Sequence, residues 1–172
     1  FMKPVPPLIP IPGPTGLVGP DSALRLCRMI GQFGFRRVMI VTDAVLVKLG
    51  LVEPLQRALA AQGIDVAVHD GISLDPTYPV LEAGHAAVRA HRSDAILAKV
   101  IGAMATSDKS PSQLVGMLKL KGPMLPLFAI PTTAGTGSEV TVAAVVTDPV
   151  AHTKAAVIDP RLVPMATALD TL

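Results

Sequence analysis

Short runs of β-branched residues alternate along this chain with longer stretches that are apolar at every third or fourth position. No other feature narrows the fold as far. Val38-Met39-Ile40-Val41, Val66-Ala67-Val68 and Ala95-Ile96-Leu97-Ala98 are apolar at consecutive positions, the pattern of strands covered on both faces of a parallel sheet. In the first helical stretch Leu26, Met29, Ile30 and Phe33 recur at i, i+3, i+4 and i+7. Asp21 or Ser22 is a candidate cap and Gly34 a natural stop. A second helix carries Val52, Leu55 and Leu59 on one side, with Glu53, Gln56 and Arg57 on the other, and ends at Gly63. Asp75-Pro76-Thr77 opens a third, which runs to about Arg92. Strands alternating with amphipathic helices imply βαβ units with right-handed crossovers, hence the α/β class.

Beyond Ala98 the punctuation weakens. Lys99 to Thr106 reads as helix, and residues 107–126 as a short helix and loop. Leu127-Phe128-Ala129-Ile130 reads as a fourth strand, stopped by Pro131. Alternating segments at Ala143–Thr147 and Ala155–Ile158 predict a β-hairpin turned near Asp148-Pro149. Residues 1–20 hold seven prolines, each lacking a backbone donor, so they form an extended lead-in with at best one edge strand. Apolar Leu8, Ile9 and Ile11 are expected to pack on the body of the domain. The expected organisation is therefore a proline-rich segment, 1–20, leading into one α/β domain, 21–172.

Composition removes several function classes. Half of the 172 residues are hydrophobic but only 3% are aromatic, with no Trp, so the core is aliphatic and general disorder is excluded. The net charge of +2 is spread out: Arg36-Arg37 and the Lys119/Lys121 pair make no stripe that could follow a phosphate backbone, so nucleic acid is not an expected partner. The single cysteine, Cys27, rules out an intramolecular disulfide framework or a cysteine-cluster metal site and fits a reducing, cytoplasmic setting. No uncharged run suits a membrane span; Gly122–Ser138 lacks charge but contains Pro123, Pro126 and Pro131. His69, His85, His91 and His152 show no i, i+4 pairing and are expected at the surface. Cys27 is expected to be inert, and Met104, Met117, Met124 and Met165 to be packing residues.

Two segments fall at the carboxyl ends of strands, where open parallel sheets bind ligands. Asp43 follows the strand 38–41. It can accept hydrogen bonds from a ribose hydroxyl and would repel a 2′-phosphate, or it can simply cap the next helix. Pro131–Thr141 brings Gly135 and Gly137 together with five hydroxyls in eleven residues: Thr132, Thr133, Thr136, Ser138 and Thr141. Such a stretch can line a nucleotide with amide and hydroxyl donors, or serve as an ordinary turn into a helix. No Lys follows its second glycine, so it is not a phosphate-binding Walker loop, and Ser138 lacks the flanking glycines of a nucleophile elbow.

These pieces, in this order, resemble the N-terminal half of the iron-containing (group III) alcohol dehydrogenases. The resemblance is carried by VMIVTD at 38–43, GLV at 50–52, Asp70-Gly71, DPT at 75–77, SDAI at 93–96 and, above all, PTTAGTGSEVT at 131–141. It continues through Lys154 and 158–164. It implies a Rossmann-like parallel sheet flanked by helices with a β-hairpin extension, as in the N-terminal domain of dehydroquinate-synthase-like enzymes. It further implies a two-domain enzyme interconverting alcohols and aldehydes or ketones with NAD. The metal, typically Fe2+, is held by one Asp and three His of a helical C-terminal domain. Asp43 resembles the adenosine-ribose ligand, which favours NAD over NADP. Thr132, Thr133, Thr136 and Thr141 resemble residues lining the pyrophosphate and nicotinamide side, and Lys154 resembles a lysine that reaches the nicotinamide ribose.

The chain departs from the family pattern in two places. The family's Gly-Gly-Gly-Ser turn after the third strand is missing, Ala98 running straight into Lys99, which predicts a weak grip on the pyrophosphate. The helical domain is also absent from these 172 residues. No catalytic or metal-ligating residue is therefore expected within them, and the chain alone is expected to be inactive. A glycerol-dehydrogenase-like or maleylacetate-reductase-like relative is disfavoured by the intact threonine-rich stretch. A non-catalytic nucleotide-binding or assembly module is the alternative from another class. The expected partner is a small alcohol or aldehyde, and the N-terminal edge strand is the expected surface of a homodimer.

Overall fold

A computed structural model describes residues 13–73, 75–98, 100–105, 109–133, 135, 137 and 139–171. In chain order the elements are β1 (Thr15–Val18), α1 (Ser22–Gln32), β2 (Arg37–Val41), α2 (Ala44–Lys48), α3 (Glu53–Ala60), β3 (Asp65–His69), α4 (Tyr78–His91) and β4 (Ala95–Leu97). There follow α5 (Val100–Ala105), α6 (Pro111–Leu114), β5 (Gly116–Met117), β6 (Phe128–Ala129), β7 (Ala143–Asp148), β8 (Thr153–Ile158), a 3-10 turn (Pro160–Leu162) and β9 (Ala166–Leu169).

β2 pairs with β3 on one side and β4 on the other, both parallel, and β9 pairs in parallel with β1 and β6. The Ile96 N–H donates to Pro126 O at 3.0 Å, and a parallel bridge joins Ile96 to Leu127. The strand order is thus β3-β2-β4-β6-β9-β1, a predominantly parallel Rossmann-like α/β sheet. The predicted hairpin is present as antiparallel β7 and β8, joined by β5 into a small separate sheet.

The period of two along β2 divides the interior. Val38 and Ile40 face one side with Leu26, Ile30, Leu59 and Phe128; Met39 faces the other with Leu81, Val88, Ile101 and Met104. The two apolar layers cover both faces of the sheet, which is why the strands read as unbroken apolar runs. Each of the fully buried Leu and Ile side chains contributes roughly 1.5–3 kcal/mol of transfer free energy. Gly34 (φ 83°) and Gly63 (φ 76°) stop α1 and α3 in the left-handed region, as their positions predict.

Several expectations need correction. Neither Asp21 nor Ser22 caps α1 through its side chain. Asp21 itself is left-handed, and Ser22 is buried; the orphan donor at Ala23 is instead satisfied by Asp170 Oδ2 at 3.0 Å, from the far end of the chain. The histidines are not all at the surface. His91 has only 12% of its side chain exposed, with Nδ1 2.8 Å from Ser93 Oγ and Nε2 3.5 Å from Asp65, and His69 and His85 each bury Nε2. Met104 is core, but Met117, on the edge strand β5, and Met165 are exposed. Cys27 is buried as expected, and burial pushes its thiol up to about 11, so it is unreactive at neutral pH. The edge strand foreseen in residues 1–20 is β1; Leu8, Ile9 and Ile11 lie outside the described residues, as do Lys99 and Thr106 at the ends of the helix predicted there.

Candidate functional site

From β2 the chain passes through α2 and α3 to β3 on one side, then through α4 to β4 on the other. This reversal leaves a crevice at the carboxyl ends of β2 and β4, where open α/β sheets bind ligands. A cavity of about 630 Å³ occupies the crevice, within the size range of small-molecule sites. Its floor is apolar, with Ile40, Leu46, Leu55, Leu97 and Ile130 among its lining residues. Its polar lining comprises the side chains of Thr42, Thr132 and Thr171 with Asp21 and Asp170. A smaller cavity of about 290 Å³ shares Val41, Leu97, Ile130 and Pro131 with the first and extends toward Ala98 and Phe128. The opening thus runs across the ends of β2, β4 and β6.

Asp43 stands at the rim, immediately after the cavity-lining Thr42. Thr42 N–H donates to His69 O at 2.9 Å, and Ile72 N–H to Thr42 O at 3.2 Å, so a bridge from Asp43 to Gly71 prolongs the sheet beyond β2. The carboxylate caps α2: Oδ1 accepts from Val45 N at 2.8 Å and from Leu46 N at 3.0 Å. Both candidate roles are therefore compatible. The cap uses one oxygen and fixes the rotamer, while Oδ2 takes no hydrogen bond among the described residues and remains an acceptor for a hydroxyl. Asp43→Ala is expected to cost about 1 kcal/mol through the lost cap, and Asp43→Asn only a few tenths, read as a shift in urea midpoint.

The threonine-rich stretch is only partly gathered at the crevice. Thr132 lines the cavity; Thr133 is exposed beside it and is not among the lining residues. Thr136 and Ser138 lie outside the described residues. Thr141 stands at the foot of the hairpin, its Oγ1 donating to Ala143 O at 3.2 Å. Lys154, on β8, donates to Asp75 Oδ1 at 2.7 Å, both groups being largely exposed. That ion pair joins the loop before α4 to the hairpin, and Thr147 N–H donating to Pro76 O at 2.9 Å reinforces it. Lys154 is thus held on the hairpin side, apart from the cavity lining.

Sequence reasoning missed the wall made by the start of α1 and the end of β9. Asp170 follows the last residue of β9 as Asp43 follows β2 by two, each an acidic residue just past a strand. Such a position was the available signal, but β9 itself, Ala-Thr-Ala-Leu, carries little strand signature.

Fold and crevice together define a doubly wound parallel α/β domain with a cleft at the switch point. A model of the family "iron-containing alcohol dehydrogenase" matches residues 14–171, and the chain belongs to that family. It is 32% identical to alcohol dehydrogenase 4 of Schizosaccharomyces pombe, over 90% of this chain and 39% of that protein. It is 30% identical to the NAD-dependent methanol dehydrogenase of Bacillus methanolicus, over 91% of this chain and 44% of that one. The solved structure of an alcohol dehydrogenase from Oenococcus oeni superposes with a TM-score of 0.86 at 28% identity, covering 92% of this chain and 44% of its own. The chain spans less than half the length of these relatives.

Proposed function

We propose that this chain is the NAD-binding domain of an iron-dependent alcohol dehydrogenase that interconverts primary alcohols and aldehydes. In that reaction a hydride passes from the alcohol carbon to the nicotinamide and a proton is released. The observation that carries this reading is the cavity at the switch point, with Asp43 at its rim holding one carboxylate oxygen free for a ribose hydroxyl. That oxygen suits a free 2′-hydroxyl, and its charge opposes a 2′-phosphate, hence NAD over NADP. Thr132, Thr133, Thr136 and Thr141 would serve the pyrophosphate and nicotinamide side, with Lys154 released from Asp75 to meet the nicotinamide ribose.

Among the described residues no group of three or more His, Cys, Asp or Glu is placed to hold a metal, so activation of the alcohol oxygen is assigned to none of them. No helix of the described residues is long and apolar enough to cross a membrane. A cytoplasmic location, suited to a lone thiol, and a homodimer paired through the free edge of β1 complete the proposal.

The test is thermal unfolding with NAD and NADP, each at about 10 mM. With a dissociation constant of about 1 mM, NAD contributes about 1.4 kcal/mol, a rise of roughly 3–5 °C in a domain of this size. NADP is expected to give no rise. An unchanged melting temperature with NAD removes the proposal, and an equal rise with NADP removes the role of Asp43.

A further inference from the structure

We propose that a corner of the small sheet seats on an anionic membrane surface. Met117 and Leu118 enter the headgroup layer, and Lys109, Lys119 and Lys121 meet the lipid phosphates and carboxylates. This surface is separate from the cleft and does not depend on the cofactor reading. The small sheet has one covered face and one open face. β7 and β8 turn Ala144, Val146 and Val157 inward, all buried. The register sets Met117 beside Ile158 and Ala143 on the opposite face, with Val145 beside Ala156 in the next row. Met117 and Leu118 are each 67% exposed. Leu118 is moreover held at φ 54°, its N–H donating to Ile158 O at 2.9 Å. That left-handed backbone is strained for leucine and is tolerated far better by asparagine. Strain that displays an apolar side chain to solvent stabilises nothing within the chain, and it points to a contact outside.

The charge around this apolar pair sets the kind of partner. Residues 109–138 hold three lysines and no acidic residue, Asp108 and Glu139 bounding the run. Lys119 and Lys121 are exposed. Lys109 Nζ donates to Lys119 O at 2.6 Å, which brings the third lysine to the same corner. Asp159, next after Ile158, is buried and paired with Arg161. A second copy of the chain suits the corner poorly, because a twofold contact would set lysines against lysines. Two apolar side chains standing out from an edge strand among long cations suit a soft, negative layer that they can enter. Arg161 fastens this loop, through Leu120 O and Gly122 O, to the turn that feeds β9. The corner therefore lies toward the ends where β6 and β9 begin, and the cleft at the opposite ends stays open.

Flotation of the full chain with vesicles tests this, using phosphatidylcholine alone and phosphatidylcholine with about 30 mol% phosphatidylserine. The expected partition coefficient is about tenfold or more higher on the anionic vesicles, and it falls about fivefold or more between about 50 and about 500 mM NaCl. Leu118→Asn keeps a residue that accepts the left-handed backbone, so the variant should fold, and its partition should drop about fivefold. Lys119→Gln combined with Lys121→Gln should lower it about thirtyfold. Equal binding to the two kinds of vesicle, or binding to neither, overturns the inference. Binding to anionic vesicles that Leu118→Asn leaves unchanged, and that soluble polyglutamate displaces, is plain charge attraction of the kind an acidic protein would exert. That result overturns the inference as well.

Discussion

Replacing Phe128 by alanine is expected to lower the unfolding free energy by about 4 kcal/mol, the middle of the range for buried aromatic truncations. Phe128 sits on β6 with no exposed surface. Its ring centroid is 5.9 Å from that of Phe35, edge-on, and 6.1 Å from that of Phe33, stacked. In a chain with four phenylalanines and no tryptophan, these three rings fill the end of the core between α1 and the sheet. The neighbour on β9 is Ala166, itself fully buried and too small to fill the space. Close-packed interiors do not flow to fill such a void, and the cavity adds to the lost transfer free energy. Denaturation by urea should show the midpoint falling with its slope unchanged. Phe33→Ala is the internal control: that ring is 48% exposed, and its loss should cost about 1 kcal/mol. A loss below about 2 kcal/mol for Phe128→Ala would mean that β6 is not the centre of this core.

Arg161→Ala is expected to cost about 3 kcal/mol, by leaving a buried carboxylate without its partner. Asp159 is 1% exposed. Its Oδ1 accepts from Arg161 Nε at 2.8 Å and from Arg161 N at 3.0 Å, and Oδ2 accepts from Nη2 at 2.8 Å. The same guanidinium donates to Leu120 O and Gly122 O, each at 2.7 Å, so it staples the loop before β6 to the turn that feeds β9. A planar fork with this many donors has no substitute in lysine, and Arg161→Lys should recover less than half of the loss.

The pH dependence has a definite sign. Hydrogen bonds from Arg161 hold the Asp159 carboxyl below the ordinary carboxylate range. A depressed folded-state pKa stabilises above the unfolded value and loses that contribution as pH falls through the folded value. The gap between wild type and Arg161→Ala should therefore be full at neutral pH and narrow from about pH 5 downward. In the variant, burial without a partner favours the neutral acid, which closes the gap further. A gap that stays constant between pH 7 and pH 3 would show that Asp159 does not depend on Arg161 for its charge.

Much of the fold was legible because local signals and global placement agree. Val38–Val41 is apolar at every position because both faces of β2 are covered, and the spacing of Leu26, Met29 and Ile30 marks the buried side of α1. Gly34 and Gly63 stop helices for a reason that lies in their own backbone freedom. Asp43 was legible as a helix cap for the same reason: its carboxylate accepts from the amides two and three positions on, Val45 N and Leu46 N. The hairpin of β7 and β8 was marked by alternation and by a turn at Asp148, whose carboxylate accepts from Val150 N and Ala151 N within its own loop.

Where the signal depends on residues far apart in the chain, the sequence is silent. Ala166–Leu169 is built of small residues with no strong preference, and it becomes a strand only because β1 and β6 flank it. Asp21 looks like a cap, but the Ala23 amide it would serve is taken by Asp170, 147 residues away. His91 looks like a solvated helix residue until β3 places Asp65 beside it. Thr132 and Thr141 are nine positions apart in one motif, but one lines the crevice and the other fastens the hairpin. By itself the sequence determined the α/β class, the sheet-forming runs and the acidic residue at the end of the first central strand, because each follows from the short-range chemistry of neighbouring residues. Only the tertiary structure decided which donors are already satisfied and which charges face the cleft, because those depend on contacts that chain closure brings together.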